Sequence, residues 1–267
     1  MNKIFFSFLF FFVFFNLFAQ DFQGMVIYQS KTKLTGLFDS PQIPDEMKKI
    51  IEERRKINSE KTFIMHFDKT SSIYEQQEKL DLPVPGGSGM RIMPSINDNG
   101  RHYKNIRENI IIEERDFMGK EFLIKDSLPK LNWKIENETK QRGNYTCFKA
   151  IAINVSNNEG NKKAKSTNFM DDLGMSKEIT ITAWYTPEIP VNQGPENYWG
   201  LPGLILEVND GKTIVLCSKI ILNTKERVEI KPPTKGKVIS EKEYDKMVVK
   251  KMKEMQEMNR VHGRIGT

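Results

Sequence analysis

Tyr103-Lys-Asn-Ile106, Ile110-Ile-Ile-Glu-Glu114, Glu121-Phe-Leu-Ile-Lys125, Trp133-Lys-Ile-Glu-Asn-Glu138 and Tyr145-Thr-Cys-Phe-Lys-Ala-Ile-Ala-Ile-Asn-Val155 follow one another with only turn residues between them. Each carries β-branched or aromatic residues, and all but the last are shorter than an ordinary helix. No helix-length pattern intervenes to carry a parallel crossover, so the series predicts an antiparallel meander.

The neighbouring segments agree with that reading. Phe22–Ser30 predicts a first strand, and Thr62–Phe67 with Ser71–Glu75 predicts two more around Asp68-Lys-Thr70. Glu178–Tyr185 resumes the strand pattern with Ile179, Ile181 and Ala183 alternating. Leu204–Val208 and Thr213–Leu222 flank Asn209-Asp-Gly-Lys212, a strong hairpin signal. Two helices are expected. One starts at Pro44, with Asp45 and Glu46 at its N-terminus and Met47, Ile50, Ile51 and Ile57 on one face. The other runs from a capping box, Ser240 with Glu243, to about Arg260 along an apolar stripe of Tyr244, Met247, Val248, Met252 and Met255. The Pro- and Gly-rich segment Asp81–Gly100 and the polar segment Ser156–Lys177 read as loops. The expected fold is β-rich: one large curved antiparallel sheet or incomplete barrel, with a helix between the first strands and a C-terminal helix packed on it.

Lys3, the uncharged apolar run Ile4–Phe18 and the small residue Ala19 make a secretory signal peptide, expected to be cleaved after Ala19. The run is short for a spanning helix of roughly 20 apolar residues, and Gln20-Asp21 turns polar. No Cys follows it to take a lipid anchor. Cleavage would leave 248 of the 267 residues, enough for a single β-rich domain over 20–267, and would remove 9 of the 17 Phe. The predicted location is periplasmic or secreted, with no transmembrane segment in the mature chain. The formal charge of +6 is spread among both signs, which argues against a nucleic-acid partner.

Cys147 and Cys217 each lie in a strand-like stretch of a chain expected to meet an oxidising compartment. Two readings stand, a disulfide and a pair of buried free thiols, and the disulfide is the expectation. Neither Cys lies in a C-x-x-C motif or beside a histidine, which argues against redox catalysis.

Gly200-Leu-Pro-Gly-Leu-Ile205, preceded by Trp184-Tyr185 and by Gly143-Asn-Tyr-Thr-Cys-Phe-Lys-Ala150, resembles the GLPGLI family of exported Bacteroidetes-type proteins over roughly residues 130–222. The resemblance implies an envelope or secreted location, a mainly β fold and an association with outer-membrane transport. It implies no reaction, because the family has no agreed activity. The hexapeptide also has a purely structural reading: Pro202-Gly203 at the centre of a type II turn leading into the strand of Leu204 and Ile205, with Trp199 and Leu201 packed beside Trp184 and Tyr185. The functional reading makes the aromatic cluster of Trp184, Tyr185, Tyr198, Trp199 and Leu201 the wall of a ligand pocket.

Catalytic patterns are weak. Gly86-Gly-Ser-Gly-Met90 lacks the last Gly of a nucleophile elbow. Gly211-Lys212-Thr213 lacks the first Gly of a phosphate loop. His66, His102 and His262 stand apart in sequence, without a zinc pattern. No catalytic residue, metal site or cofactor is assigned. The leading expectation is an exported cell-envelope binding or interaction protein for an apolar, lipid-like or peptide ligand, its envelope partner unknown. Two alternatives remain open. One is a hydrolase using dispersed carboxylates such as Glu188, Glu196, Glu207 and Asp210. The other is Cu(I) binding by Met252, Met255 and Met258.

Overall fold

A computed structural model describes residues 22–33, 59–77, 96–97, 100–154, 179–224 and 227–265. Thirteen strands form one sheet: β1 (Gln23–Thr32), β2 (Glu60–Asp68), β3 (Ser71–Gln76), β4 (Ile96–Asn97), β5 (His102–Asn105), β6 (Ile110–Phe117), β7 (Lys120–Ser127), β8 (Lys134–Arg142), β9 (Tyr145–Asn154), β10 (Ile179–Thr186), β11 (Leu204–Asn209), β12 (Thr213–Leu222) and β13 (Lys237–Ile239). A single helix, α1 (Glu241–Ile265), follows them among the described residues. The strand order is β13-β7-β6-β5-β3-β2-β1-β12-β11-β10-β9-β8, with β4 pairing β6 off this path. The edge strands β13 and β8 do not pair with each other, so the sheet does not close into a barrel.

The connection from Ser127 to Lys134 sets the shape. It joins β7, next to one edge, to β8 at the other, ten strand positions away. A flat sheet would separate them by roughly 48 Å, whereas seven residue steps reach at most about 25 Å. The sheet must curl until its ends approach. Irregularities at Ile27/Tyr28, Trp184/Tyr185 and Ile135/Thr139 supply local bends. The linker is fastened to the chain that precedes β11: Leu128 is buried, Trp133 Nε1 donates to Trp199 O at 2.9 Å, and Trp199 Nε1 donates to Pro129 O at 2.7 Å.

Alternating residues fill the interior. Val26 and Tyr28 of β1 pack with Met65 and Phe67 of β2, Tyr74 of β3, Leu204, Leu206 and Val215. Tyr28 also donates its hydroxyl to Ile205 O at 2.7 Å, tying the first strand to β11 across β12. The continuous apolar runs in β6 and β7 are buried on both faces. Phe117, Phe122 and Ile124 pack under Tyr244 and Val248 of α1. Ile112 and Leu123 pack with Tyr103, against the partly buried Ile230. That two-sided cover explains why these strands carry runs rather than alternation.

The predicted strands and the hairpin at Asn209–Lys212 are present. In the hairpin turn, Asp210 Oδ1 accepts from the Lys212 and Thr213 amides at 2.9 and 2.6 Å. The capping box also forms: Ser240 N donates to Glu243 Oε2 at 3.0 Å, and Glu243 N to Ser240 Oγ at 3.3 Å. Several expectations are corrected. The sheet is mixed, because β13 runs parallel to β7. Within the expected loop Asp81–Gly100, Ile96–Asn97 pairs with Phe117 and Asp116. The helix continues past Arg260 to Ile265. Cys147 and Cys217 are free thiols; their sulfurs face carbonyls two residues away in their own strands, Tyr145 O at 3.9 Å and Lys219 O at 3.8 Å. The expected helix starting at Pro44, the expected leader 1–19 and the expected loop 156–177 lie outside the described residues.

The turn at Pro202-Gly203 is not type II. Gly203 N donates to Leu201 O at 2.8 Å, an i to i+2 bond closing a γ-turn on Pro202, while Leu204 N bonds Ile189 O at 3.0 Å. A Cβ on Gly203 would stand 2.2 Å from Thr186 O, whereas Gly200 has positive φ (92°) and open space around it. Gly203→Ala is therefore expected to destabilise the fold by about 3 kcal/mol through forced backbone displacement, and Gly200→Ala by about 1 kcal/mol through φ strain alone. Urea unfolding midpoints of the two variants check that order.

Candidate functional site

The face of the sheet that carries Tyr28 and Tyr74 also carries a row of polar side chains. Cross-strand pairing puts Tyr74 opposite His102 and His102 opposite Glu113. Arg115 follows two residues on, so it points the same way as Glu113. Ser30 and Thr32 of β1, Lys61 and Phe63 of β2, and Thr213 of β12 continue this face. The chain between β10 and β11, residues 187–203, folds back over it. Ile189 and Val191 enter the main core, and Glu196 and Asn197 stand over the polar row. The cleft between them, open on one side, has a volume of about 340 Å³.

Glu113 is the hub. Its Oε2 accepts from Arg115 Nη2 at 2.5 Å, and its Oε1 accepts from Asn197 Nδ2 at 3.2 Å with His102 Nδ1 at 3.5 Å. Burial alone would raise the Glu113 pKa. The His102 imidazole and Arg115 guanidinium outweigh it and hold the carboxyl at about 2. Arg115 also bonds Glu241 at 2.9 and 3.4 Å and lies over the Tyr244 ring, joining the cleft to the first turn of α1. The Glu241 carboxyl is raised by burial, against the opposing pull of Arg115.

Lys104 fixes the covering segment. Its side chain is fully buried two residues from His102, and its Nζ donates to Gly194 O at 2.6 Å and Tyr198 O at 3.3 Å. Burial lowers its pKa to about 7, with Glu196 pulling the other way. Next to it, Ser72 Oγ donates to the buried Gln193 Oε1 at 3.0 Å. These contacts bracket Glu196, whose backbone takes a positive φ (47°) to bring the Glu196-Asn197 pair over the cleft.

The residues singled out from sequence lie elsewhere. Tyr185, Leu201 and Ile205 are buried in one cluster, against which Tyr198 packs. Leu204 belongs to the main core, with Trp184 packed against it. Lys140 Nζ sits 3.9 Å from the centre of the Trp184 ring and 2.7 Å from Glu207, which Arg142 also pairs. Trp199 is held by the 128–133 linker. Gly200, Pro202 and Gly203 form the corner itself. None of these residues lines the cleft. His102, expected to stand alone, is paired with Glu113 by the register of β5 and β6. Of the four carboxylates weighed for hydrolysis, Glu196 reaches the cleft. Glu188 accepts from the Thr146 amide, Glu207 is in its ion pairs, and Asp210 is in its turn. Met252 packs against the Phe122 and Tyr244 core, while Met258 is exposed. Among the described residues no group of three His, Cys, Asp or Glu could hold a metal ion, and no helix is long and apolar enough to cross a membrane.

Residues 133–207, from the start of β8 through the covering segment into β11, match a family described as a protein of unknown function, Porph_ging. None of the curated proteins matches the chain. Among solved structures, "Structure of PNGF-II in C2 space group" is similar at 15% identity and a TM-score of 0.50, covering 86% of this chain and 33% of that one. "Structure of PNGF-II in P21 space group" matches at 16% identity and a TM-score of 0.49, covering 85% and 33%. The chain thus spans about a third of the length of the solved chains it matches, and at this identity the likeness is one of fold alone.

Two measurements follow from these surroundings. The Glu113 pKa is depressed on folding, so its stabilisation is complete above the unfolded value of 4.5 and is lost as pH falls towards about 2. About 3 kcal/mol should disappear over that window in the wild type. Glu113→Gln, in which Arg115 keeps Glu241, should lack this component in urea unfolding series run from pH 5 to pH 2. Burial pushes the Cys147 thiol up to about 11 and Cys217 up to about 12. Iodoacetamide should therefore leave the native protein unmodified at neutral pH and add twice once it is denatured without reductant, as read by intact mass.

Proposed function

We propose that this protein is an exported, GLPGLI-type binding protein of the cell envelope, and that its ligand occupies the cleft between the polar row of the sheet and residues 193–198. The observation that carries the reading is the buried Glu113 network. It holds two charged side chains and an amide in fixed positions around an open volume of about 340 Å³, the size range of small-molecule sites. Export rests on the leader-like segment 1–19. The family reading rests on Gly200–Ile205, which lies inside the matched residues 133–207.

The polar lining favours a hydrogen-bonding ligand over the apolar or lipid-like one that the aromatic cluster suggested. A carboxyl held at about 2 is ionised at neutral pH and has no proton to donate, so Glu113 suits binding better than general-acid hydrolysis. Ser30 lines the cleft and is itself buried, so Ser30→Phe puts a ring into the open volume. Native mass spectra of protein recovered from its own envelope are expected to show a chain beginning at Gln20 with a bound mass. That mass should be absent from Ser30→Phe and retained by the Trp184→Ala, Trp199→Ala double variant. Retention by Ser30→Phe together with loss from the tryptophan variant would move the site to the aromatic corner.

A further inference from the structure

Every ionic side chain that lines the cleft already has a partner. Glu113 is shared by Arg115, His102 and Asn197, Arg115 is held between Glu113 and Glu241, and Lys61 and Glu196 are also engaged. A charged ligand would have to break one of these pairs and leave its partner desolvated. The Arg115 charge is already matched by Glu113 and Glu241, and two neutral groups of the lining are left with an unpaired polar atom. Tyr74 is 1% exposed, its side chain lines the cleft, and its hydroxyl has no partner. Asn197 spends its amide NH2 on Glu113, which leaves its buried Oδ1 without a donor. Burial and the Glu196 charge keep the Tyr74 phenol protonated, so it can both donate and accept.

Around these two atoms the cleft offers more groups of the same kind and one flat apolar surface. Thr32 and Thr213 place their hydroxyls 3.1 Å apart in its wall. Phe63 stacks on Tyr74 with ring centres 4.7 Å apart and planes 11° from parallel, presenting a stiff aromatic step. A ligand that satisfies Tyr74 and Asn197 must carry neutral groups that donate and accept. One that also lies on the Phe63 step needs a compact C–H face. Resting on the cleft as the ligand site, we infer that it takes a neutral, polyhydroxylated ligand, a sugar or sugar-like ring, recognised by Tyr74, Asn197 and Phe63.

Binding is tested by ligand-observed NMR and calorimetry with glucose, N-acetylglucosamine, myo-inositol and maltotriose at millimolar concentration, beside phosphate, acetate, glycine and dodecanoate. The neutral rings should bind the wild type, and Tyr74→Phe should weaken them about tenfold. Because the lost hydroxyl is unpaired in the free protein, Tyr74→Phe should melt no lower than the wild type, which separates this role from a structural one. Affinity that rises from glucose to maltotriose assigns the end of a longer chain as the ligand, and equal affinity assigns a free sugar. Failure of every neutral ring overturns the ligand class, and an unchanged affinity in Tyr74→Phe overturns recognition by Tyr74. Phosphate or dodecanoate binding that Ser30→Phe abolishes also overturns the class while leaving the cleft as the site. Sugar binding untouched by both variants overturns the cleft itself.

Discussion

The structure depends on one short connection. Seven residue steps from Ser127 to Lys134 must span ten strand positions, which a flat or gently twisted sheet cannot allow. The curl this imposes brings residues 128–133 against Trp199 and lets the segment between β10 and β11 lie over strands β3, β5 and β6. Without it, Asn197 could not reach Glu113, and Lys104 could not reach the carbonyls of Gly194 and Tyr198. Cleft and core are two results of the same bend.

The polar row inside the curl is costly to bury, and its arrangement shows how that is offset. Glu113 is held by a guanidinium, an imidazole and an amide, and Arg115 by two carboxylates and an aromatic face. Removing any one member leaves a buried charge incompletely partnered, a larger penalty than the net value of any single pair. Lys104 differs, because it meets only carbonyl oxygens. Its lowered pKa is the physical sign of a cation kept out of water without a direct counter-ion.

Most of the architecture was legible because it rests on local period. Alternation in β1, the apolar runs of β6 and β7, the Asp210-Gly211 turn and the Ser240–Glu243 box each state their structure within a dozen residues. β13 was not legible, since three residues with an exposed Val238 carry no alternation and their partner is set by tertiary docking. The cleft was hidden for a related reason. His102, Glu113 and Asn197 are far apart in sequence, and only the register of β5 on β6 and the fold-back of a later segment join them. A trace of it was present: Glu113-Glu-Arg-Asp116 puts four charged residues in a strand whose other residues are apolar, and His102 and Lys104 lie two apart, on one face of β5. The motif residues Gly200–Ile205 drew attention instead because they are distinctive as a string. Their distinctiveness comes from a corner in which Leu201, Leu204 and Ile205 are buried and Gly203 presses on the Thr186 carbonyl.

The position of β1 also bears on how the chain acquires its shape. This first strand lies in the middle of the sheet, pairing with the nearby β2 on one side and with β12 on the other, with a Ser218 to Ile27 bond across 191 residues. The β2–β3 hairpin can form early from local contacts, but the seam that completes the interior must wait until nearly the whole strand region has been made. Contacts of such long range slow folding because the loop they close must be ordered first. A nascent chain of this topology therefore carries an unpaired β1 edge until β12 has been made.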